Sequence, residues 1–146
     1  MKNRLSNIVK IGAVAAGLAL LAVSPAGAKF VTDQAGRRVE IPDRPQRVVS
    51  LAPSITEIVF ALGREQILKG VTSYSDFPPE ASDLPRVGSY VRLDLERIIE
   101  LRPDLCIAVK DGNPKAAVDR LQALGVPVYA LDPRSVPTVI QAILEM

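Results

Sequence analysis

The sequence predicts an α/β fold in which a small parallel, Rossmann-like sheet is covered by helices on both faces. Short apolar runs alternate along the chain with segments whose apolar residues recur at helical spacing. The apolar runs are continuous rather than interrupted by polar residues, which is typical of strands buried on both faces. Strands that alternate with helices are joined by right-handed crossovers, so we expect a parallel sheet in a three-layer lobe.

The first 28 residues are predicted to be a cleaved secretory signal rather than part of the fold. A basic start is followed by an uncharged run over residues 11–23, and Ala26-Gly27-Ala28 matches the small-residue pattern before a cleavage site. The apolar run is shorter than the ~20 residues that span a bilayer, which disfavours the alternative of a membrane anchor. We therefore expect a periplasmic protein whose folded part is residues 29–146.

A β-hairpin is predicted at the start of the folded part, followed by the first strand and helix. Two runs rich in Val and Thr within residues 30–41 flank the turn Asp33-Gln34-Ala35-Gly36. The first buried strand is predicted over residues 48–51. Ser54 is then expected to cap a helix, with Glu57 closing a capping box. Four apolar residues are expected on the inner face of that helix: Ile55, Ile58, Val59 and Leu62.

The next strand and helix are separated by a long loop. A strand is predicted over residues 67–71 and a loop over residues 72–85, where Pro78-Pro79 excludes helix. Asp94 is expected to cap the second helix. Three apolar residues are expected on its inner face: Leu95, Ile98 and Ile99.

Two further strand–helix pairs complete the predicted lobe. A strand over residues 105–109 is followed by a helix with Asn113 as its cap and Pro114 in its first turn. A strand over residues 128–131 precedes a last helix, which Ser135 is expected to cap. Four apolar residues are expected on one face of that helix: Val139, Ile140, Ile143 and Leu144.

The composition excludes several classes of chemistry. The sequence has no His and one Cys, which excludes Ser-His-Asp and Cys-His catalysis, the commonest zinc ligand and an intrachain disulfide. Cys106 lies in an apolar run and is expected to be a buried hydrophobe rather than a reactive thiol. The net charge of +2 includes the cations of the predicted signal, so the folded part lacks the basic face that nucleic acid requires.

Four loops are expected at the carboxyl edge of the sheet, where open α/β sheets bind ligands. They carry Pro53 and Ser54 after the first strand, Tyr74 after the second, Tyr90 before the second helix and Gly112 after the third strand. Tyrosine offers a rigid apolar face with one polar tip, which suits a flat ligand. The alternative is that the two tyrosines pack against the protein and hold their loops in place.

Catalysis is not predicted. Asp76 and Asp111 both lie in these loops, but nothing in their spacing requires acid–base chemistry. The sequence contains neither a nucleophile–base pair nor a phosphate-binding loop. We therefore expect a binding protein with no catalytic residues, no metal ligands and no cofactor of its own.

Three groups of residues carry a family resemblance that extends over essentially all of the folded part. They are Val31-Thr32-Asp33 with Gly36-Arg37, the run from Arg47 to Glu57, and Leu95-Glu96-Arg97-Ile98 followed by Arg102-Pro103-Asp104-Leu105. With them, the chain resembles the N-terminal lobe of periplasmic solute-binding proteins of ABC importers. The class it resembles carries cobalamin, haem and ferric siderophores.

Two narrower motifs are similar to those of the cobalamin-binding members: residues 73–79, Ser-Tyr-Ser-Asp-Phe-Pro-Pro, and Gly112-Asn113. The resemblance implies that Tyr74 and Tyr90 line a corrin site. Cobalamin-binding members carry Trp at the position of Tyr90 and at that of Val109, whereas this chain has no Trp. Haem and ferric siderophores therefore stay open as alternative ligands, each a metal chelate that brings its own metal.

The resemblance also implies a membrane partner and a second lobe. Glu96 matches a glutamate that docks onto arginines of the permease, the alternative being a solvated acid in a first helical turn.

Family members hold the ligand between two lobes joined by a bridging helix, and this chain ends where that helix is expected. We therefore expect a fragment of a longer protein, which supplies one of the two lobes that hold the ligand. A ligand-free module that docks on a permease, and a periplasmic hydrolase or sensor domain, are the alternative functions.

Overall fold

The computed structural model describes residues 27–145, so all but the last two residues of the predicted signal lie outside the described residues. A hairpin of β1 (Ala28–Thr32) and β2 (Arg38–Pro42) precedes a lobe of strands and helices. The lobe contains, in chain order, β3 (Val48–Ser50), α1 (Pro53–Ala61), β4 (Leu68–Gly70), β5 (Gly88–Ser89), β6 (Arg92–Leu93), α2 (Leu95–Glu100), β7 (Leu105–Val109), α3 (Lys115–Ala123), β8 (Val128–Leu131) and α4 (Val136–Glu145).

The central sheet is parallel and has the strand order β4-β3-β7-β8. The chain runs outward from β3 to β4 and then returns across β3 to β7. The strand order therefore reverses between β3 and β7, and the loops at the carboxyl ends of these two strands leave in opposite directions. The predicted parallel α/β fold is confirmed, and this reversal marks where a ligand crevice is expected.

Helices cover both faces of the sheet, as a three-layer lobe requires. Neighbouring residues of β3 point to opposite faces: Val48 packs in the core that contains Ile55 of α1 and Ala142 of α4. Val49 packs in the core that contains Ile98 of α2 together with residues of α3. Because both faces are covered, the strands are mostly apolar, which is the pattern that predicted them; the polar residues among them are Ser50 in β3 and Lys69 in β4.

The hairpin turn closes the outer edge of β8. The N–H of Ala130 donates to the Asp33 carboxylate at 3.2 Å, and its carbonyl accepts from the N–H of Gln34 at 3.0 Å. The N–H of Asp132 donates to the Gln34 side-chain oxygen at 2.7 Å. Backbone groups that an open strand edge leaves unpaired are thus bonded within the chain, which disfavours edge-to-edge aggregation.

The predicted cap of α1 is wrong. The helix begins at Pro53, its N-cap residue is Ala52, and no side chain caps it. Proline lacks the N–H that would be unpaired in the first turn, and its φ suits a helix. The helix therefore begins at Pro53, one residue before Ser54. Ser54 is exposed within the first turn, and the capping box with Glu57 does not form.

Fewer of the predicted inner residues of the helices are buried than the apolar spacing indicates. In α1 the buried residues are Ile55, Thr56 and Val59, whereas Leu62 lies just beyond the helix and is 43% exposed. In α2 only Ile98 is buried, because a helix of six residues is so short that one residue packs directly against the sheet. In α4 only Ala142 is buried; the predicted inner residues Ile140 and Leu144 are exposed, at 53% and 76%.

Several local predictions are settled by the remaining contacts. Asp94 caps α2 by accepting from the N–H of Arg97 at 3.0 Å, as predicted. Pro78-Pro79 does not exclude helix entirely, because a short 3-10 helix runs over Pro79–Asp83 with a proline in its first turn. Cys106 is buried in β7, as predicted, and burial raises the pKa of its thiol to about 12. Within residues 27–145, no helix has the length and apolar character needed to cross a membrane.

Candidate functional site

Four loops meet at the carboxyl edge of the sheet, and we call them the carboxyl-end loops: residues 51–54, 72–77, 88–90 and 110–113. The side chain of Asn113 joins three of them. Its amide nitrogen donates to the carbonyls of Leu51 and Tyr90, each at 2.8 Å, and its oxygen accepts from the N–H of Val109 at 2.8 Å. The structure therefore brings together segments that the sequence separates by up to 62 residues.

The loop that carries Tyr74 is anchored by a buried chain of hydroxyl groups. The Thr56 hydroxyl donates to the Ser50 hydroxyl at 2.8 Å and lies 3.2 Å from that of Ser75. The hydroxyls of Ser75 and Thr72 are 2.9 Å apart. All four residues are buried, so this network ties the loop to the end of β3 and to α1.

The two tyrosine-bearing loops are also bonded to each other. The N–H of Ser73 donates to the carbonyl of Gly88 at 2.8 Å. The Arg86 guanidinium donates to the carbonyls of Thr72 and Ser75, at 2.8 and 2.9 Å. Tyr74 and Tyr90 therefore stand on backbone segments that are hydrogen-bonded on both sides, which restrains the backbone that carries each ring.

Both predicted tyrosines are presented to solvent. Tyr74 is 66% exposed and Tyr90 is 40% exposed, and Phe77 in the same loop as Tyr74 is 67% exposed. The alternative, that the tyrosines pack the loops down, does not describe Tyr74, whose loop is held by its buried neighbours instead. Exposed aromatic rings on a fixed backbone offer contact area at a low entropic cost on binding.

The other predicted site residues lie around these rings. Pro53 is half-buried at the start of α1, and Ser54 beside it is exposed. Gly112 lies against the Tyr90 ring: a Cβ atom placed on Gly112 would be 3.5 Å from Cδ2 of Tyr90. Glu96 is exposed in the first turn of α2, outside the carboxyl-end loops.

The acidic residues of these loops are paired with arginines. Asp76 lies 3.2 Å from the Arg86 guanidinium, and Asp111 lies 3.1 Å from that of Arg134. Across residues 27–145, no group of three or more His, Cys, Asp or Glu side chains gathers in a way that would hold a metal ion. The carboxylates of these loops are thus each held beside a guanidinium, and the exposed aromatic rings provide the apolar surface at this edge.

A cavity of about 390 Å³ adjoins the loop of residues 110–113 on the side that faces the hairpin turn. Ala35 and Arg37 of the hairpin and Val118 of α3 line it, together with Asp111 and Asn113. Neither Tyr74 nor Tyr90 lines this cavity, so it is separate from the surface that the two rings form.

Sequence reasoning missed the residues that hold the loops. Asn113 was predicted to cap α3, but the residue at the cap position is Pro114 and no side chain caps the helix. Thr56 was not among the expected inner residues of α1, yet it is fully buried and bonds Ser50 and Ser75. Ser50 was the one available signal in the sequence. A polar residue at the end of an apolar strand indicates a buried hydroxyl, and a buried hydroxyl requires a hydrogen-bond partner nearby.

Comparison with known proteins places the chain in a family. The family model described as periplasmic binding protein matches residues 48–146. The vitamin B12-binding protein of Pectobacterium carotovorum is 43% identical over 91 residues, which are 62% of this chain and 33% of that protein. The corresponding protein of Yersinia pestis is 44% identical over 88 residues, 60% of this chain and 31% of that protein. The chain spans about a third of the length of these curated relatives.

Solved structures share the fold. The periplasmic vitamin B12-binding protein of Vibrio cholerae superposes with a TM-score of 0.63 at 36% identity, over 69% of this chain and 41% of that one. A periplasmic haem-binding protein of Pseudomonas aeruginosa superposes with a TM-score of 0.65 at 34% identity, over 70% of this chain and 37% of that one.

Proposed function

The chain belongs to the periplasmic binding protein family, and from this premise we propose that it is the N-terminal lobe of the substrate-binding component of an ABC importer that captures a corrinoid. One observation carries the proposal: the exposed rings of Tyr74 and Tyr90 stand on hydrogen-bonded loops at the carboxyl edge of the sheet, and Asn113 joins the Tyr90 loop to the end of β3 beside the reversal of strand order. The relatives described above are named for binding vitamin B12 or haem. Each is a flat metal chelate.

The chemistry of a corrinoid suits this surface. The macrocycle is large, flat and mostly apolar, and a tyrosine face makes favourable contact with such a surface. A corrinoid brings its own cobalt, so capture needs no metal ligands from the chain. We propose that Pro53, Ser54 and Gly112 line the same cleft beside the two rings. We also propose that the chain has no cofactor and catalyses no reaction.

Haem is the second candidate ligand. Similarity to the haem-binding protein of Pseudomonas aeruginosa at 34% identity favours it, as does the absence of Trp from the sequence. Because the sequence has no His, we expect a tyrosine phenolate from this lobe to bind the haem iron. The two ligands thus use different parts of the same side chain: the ring face for a corrinoid and the hydroxyl for haem.

Titration with the two ligands tests the proposal. We expect the nitrogen-15-labelled chain to show amide chemical-shift changes at Tyr74, Tyr90 and Gly112 when cyanocobalamin is added. Nuclear magnetic resonance is suited to this test because it detects the weak binding of one lobe, which leaves much of a large ligand exposed. Changes with haemin but not with cyanocobalamin would favour haem, and changes with neither ligand would contradict the proposal.

We further propose that the chain acts in the periplasm after removal of residues 1–28, where Glu96 docks on the permease. The Glu96 carboxylate is exposed and, within residues 27–145, takes part in no ion pair. An exposed carboxylate in a first helical turn is available for a paired contact with a guanidinium.

A charge reversal tests the docking role. Glu96→Arg is expected to weaken binding to a cobalamin-importer permease in lipid nanodiscs by roughly tenfold, because it replaces an attraction with a repulsion. Glu100→Arg is the matched control, since it makes the same charge change on the same helix. Equal losses for the two variants would assign the effect to net charge and count against the role of Glu96.

A further inference from the structure

The side chain of Asn113 is placed where the two strands that flank the reversal of strand order end. It is 6% exposed and uses all of its main hydrogen-bonding groups. The amide nitrogen donates to the carbonyl of Leu51, just after β3, and the oxygen accepts from the N–H of Val109, the last residue of β7. The second donor of the nitrogen reaches the carbonyl of Tyr90. One side chain therefore joins both strand ends and a tyrosine of the proposed site.

We propose that Asn113 is a positioning residue for ligand binding, which holds the Tyr90 ring in its binding position before the ligand arrives. The inference rests on the proposed function, since it assigns a role within the same site. The bond to Tyr90 is made by the backbone carbonyl, so the ring itself stays free for a ligand. Gly112, next to Asn113, lies against one edge of that ring. The same short segment thus fixes the backbone of Tyr90 and supports its side chain.

The residue type matches this role closely. Two donors and one acceptor are needed at one buried point, and the asparagine amide supplies both kinds of group in one plane. An aspartate would lack the donors and would set a carboxylate against two carbonyl oxygens. Alanine would leave the carbonyls of Leu51 and Tyr90 and the N–H of Val109 without this partner.

A purely local role does not account for these contacts. An asparagine that served only to begin α3 would bond the N–H groups of that helix, whereas α3 has no side-chain cap. Two of the three Asn113 bonds reach residues 62 and 23 positions away in the sequence. Their common effect is to keep the Tyr90 loop at a set distance from the sheet.

A binding experiment tests the inference through additivity. Asn113→Ala is expected to weaken cyanocobalamin binding by roughly tenfold or more, because the ring must then be ordered during binding. In a Tyr90→Ala background the same change is expected to have little further effect, since the ring that it positions is gone. Leu121→Ala is the control: it removes a buried side chain from α3, the helix that follows Asn113, and is expected to lower stability without the loss of affinity. Additive effects of the two substitutions would overturn the inference.

A second measurement needs no ligand. The sequence has three Tyr and no Trp, so Tyr74→Phe with Tyr129→Phe leaves Tyr90 as the fluorophore. In that background Asn113→Ala is expected to lower the fluorescence anisotropy of Tyr90 and to raise its quenching by acrylamide, whereas Leu121→Ala should change neither. If the alanine variant does not fold, Asn113→Ser takes its place in both measurements, because the serine hydroxyl can bond one of the three partners.

The two measurements separate this inference from the proposed function. If the unsubstituted chain binds no chelate, the proposed function fails, while Tyr90 fluorescence still reports on Asn113. If Tyr90 is as rigid in Asn113→Ala as in its parent, the positioning role is overturned, whatever the chain binds.

Discussion

Replacement of Asp33 by Ala is expected to destabilise the chain by about 3–5 kcal/mol, as expected when one partner of a buried ion pair is removed. The Asp33 side chain is fully buried, and its carboxylate contacts the Arg37 guanidinium at 2.6 Å. It also accepts from the N–H groups of Ala35, Arg37 and Ala130, at 3.0, 2.8 and 3.2 Å. The substitution would leave these donors, of which the N–H of Ala130 is buried, without this partner and would open the edge of β8.

The size of this effect depends on how the unpaired arginine is solvated. The Arg37 side chain is 27% exposed, so water can reach part of its charge, and we expect the lower half of that range. The measurement is urea unfolding followed by circular dichroism, with the free energy of unfolding taken by linear extrapolation.

The chain offers a matched control for Asp33. Asp119 pairs with Lys115 at the same sequence spacing of four residues, but on the surface of α3, where the two side chains are 47% and 84% exposed. Asp119→Ala is expected to change stability by less than about 1 kcal/mol, because solvent screens such pairs. Equal losses for Asp33→Ala and Asp119→Ala would show that the hairpin turn does not hold the edge of β8 as described.

Replacement of both Tyr74 and Tyr90 by Ala is expected to reduce affinity for the bound chelate several-hundredfold. Each exposed ring is a candidate anchor worth about 2 kcal/mol, or roughly thirtyfold in affinity, if it packs against the ligand as interface anchors do. Little change in stability is expected at Tyr74, which is 66% exposed and packs little against the fold. Isothermal titration or the amide-shift titration measures the loss, and unchanged affinity would contradict the proposed site.

Tyr→Phe variants distinguish the two candidate ligands at the same positions. Phenylalanine keeps the ring face and removes the hydroxyl, so Tyr74→Phe and Tyr90→Phe are expected to retain corrinoid binding nearly unchanged. If haem is the ligand and a phenolate binds its iron, one of these two variants is expected to lose the haem absorption shift. Retention of affinity in both Phe variants, with loss in both Ala variants, is the result expected for a corrinoid.

Local sequence patterns predicted the elements more accurately than their caps and faces. The apolar runs located all four strands of the parallel sheet, and Leu105–Val109 and Val128–Leu131 agree at both ends. The caps at Ser54 and Asn113 were wrong for different reasons. Pro53 begins α1, so Ser54 lies inside the first turn, whereas Pro114 takes the cap position of α3 and the Asn113 side chain bonds other loops. The exposed Ile140 and Leu144 show that apolar spacing identifies a helix without establishing which side faces the sheet.

What the sequence by itself determined about this protein is the order of α1–α4, the N-terminal hairpin, the strands of the parallel sheet and the segments that carry the candidate site, whereas the short antiparallel pair β5–β6 was not predicted. These follow from local spacing, because a buried strand and an amphipathic helix each have a period that is visible within a dozen residues. What only the tertiary structure decided is which distant groups meet. Asp33 closes the edge of β8, and Asn113 joins Leu51 to Tyr90. Buried polar groups take whichever partner the packed chain brings within about 3 Å, and sequence spacing carries no record of that distance.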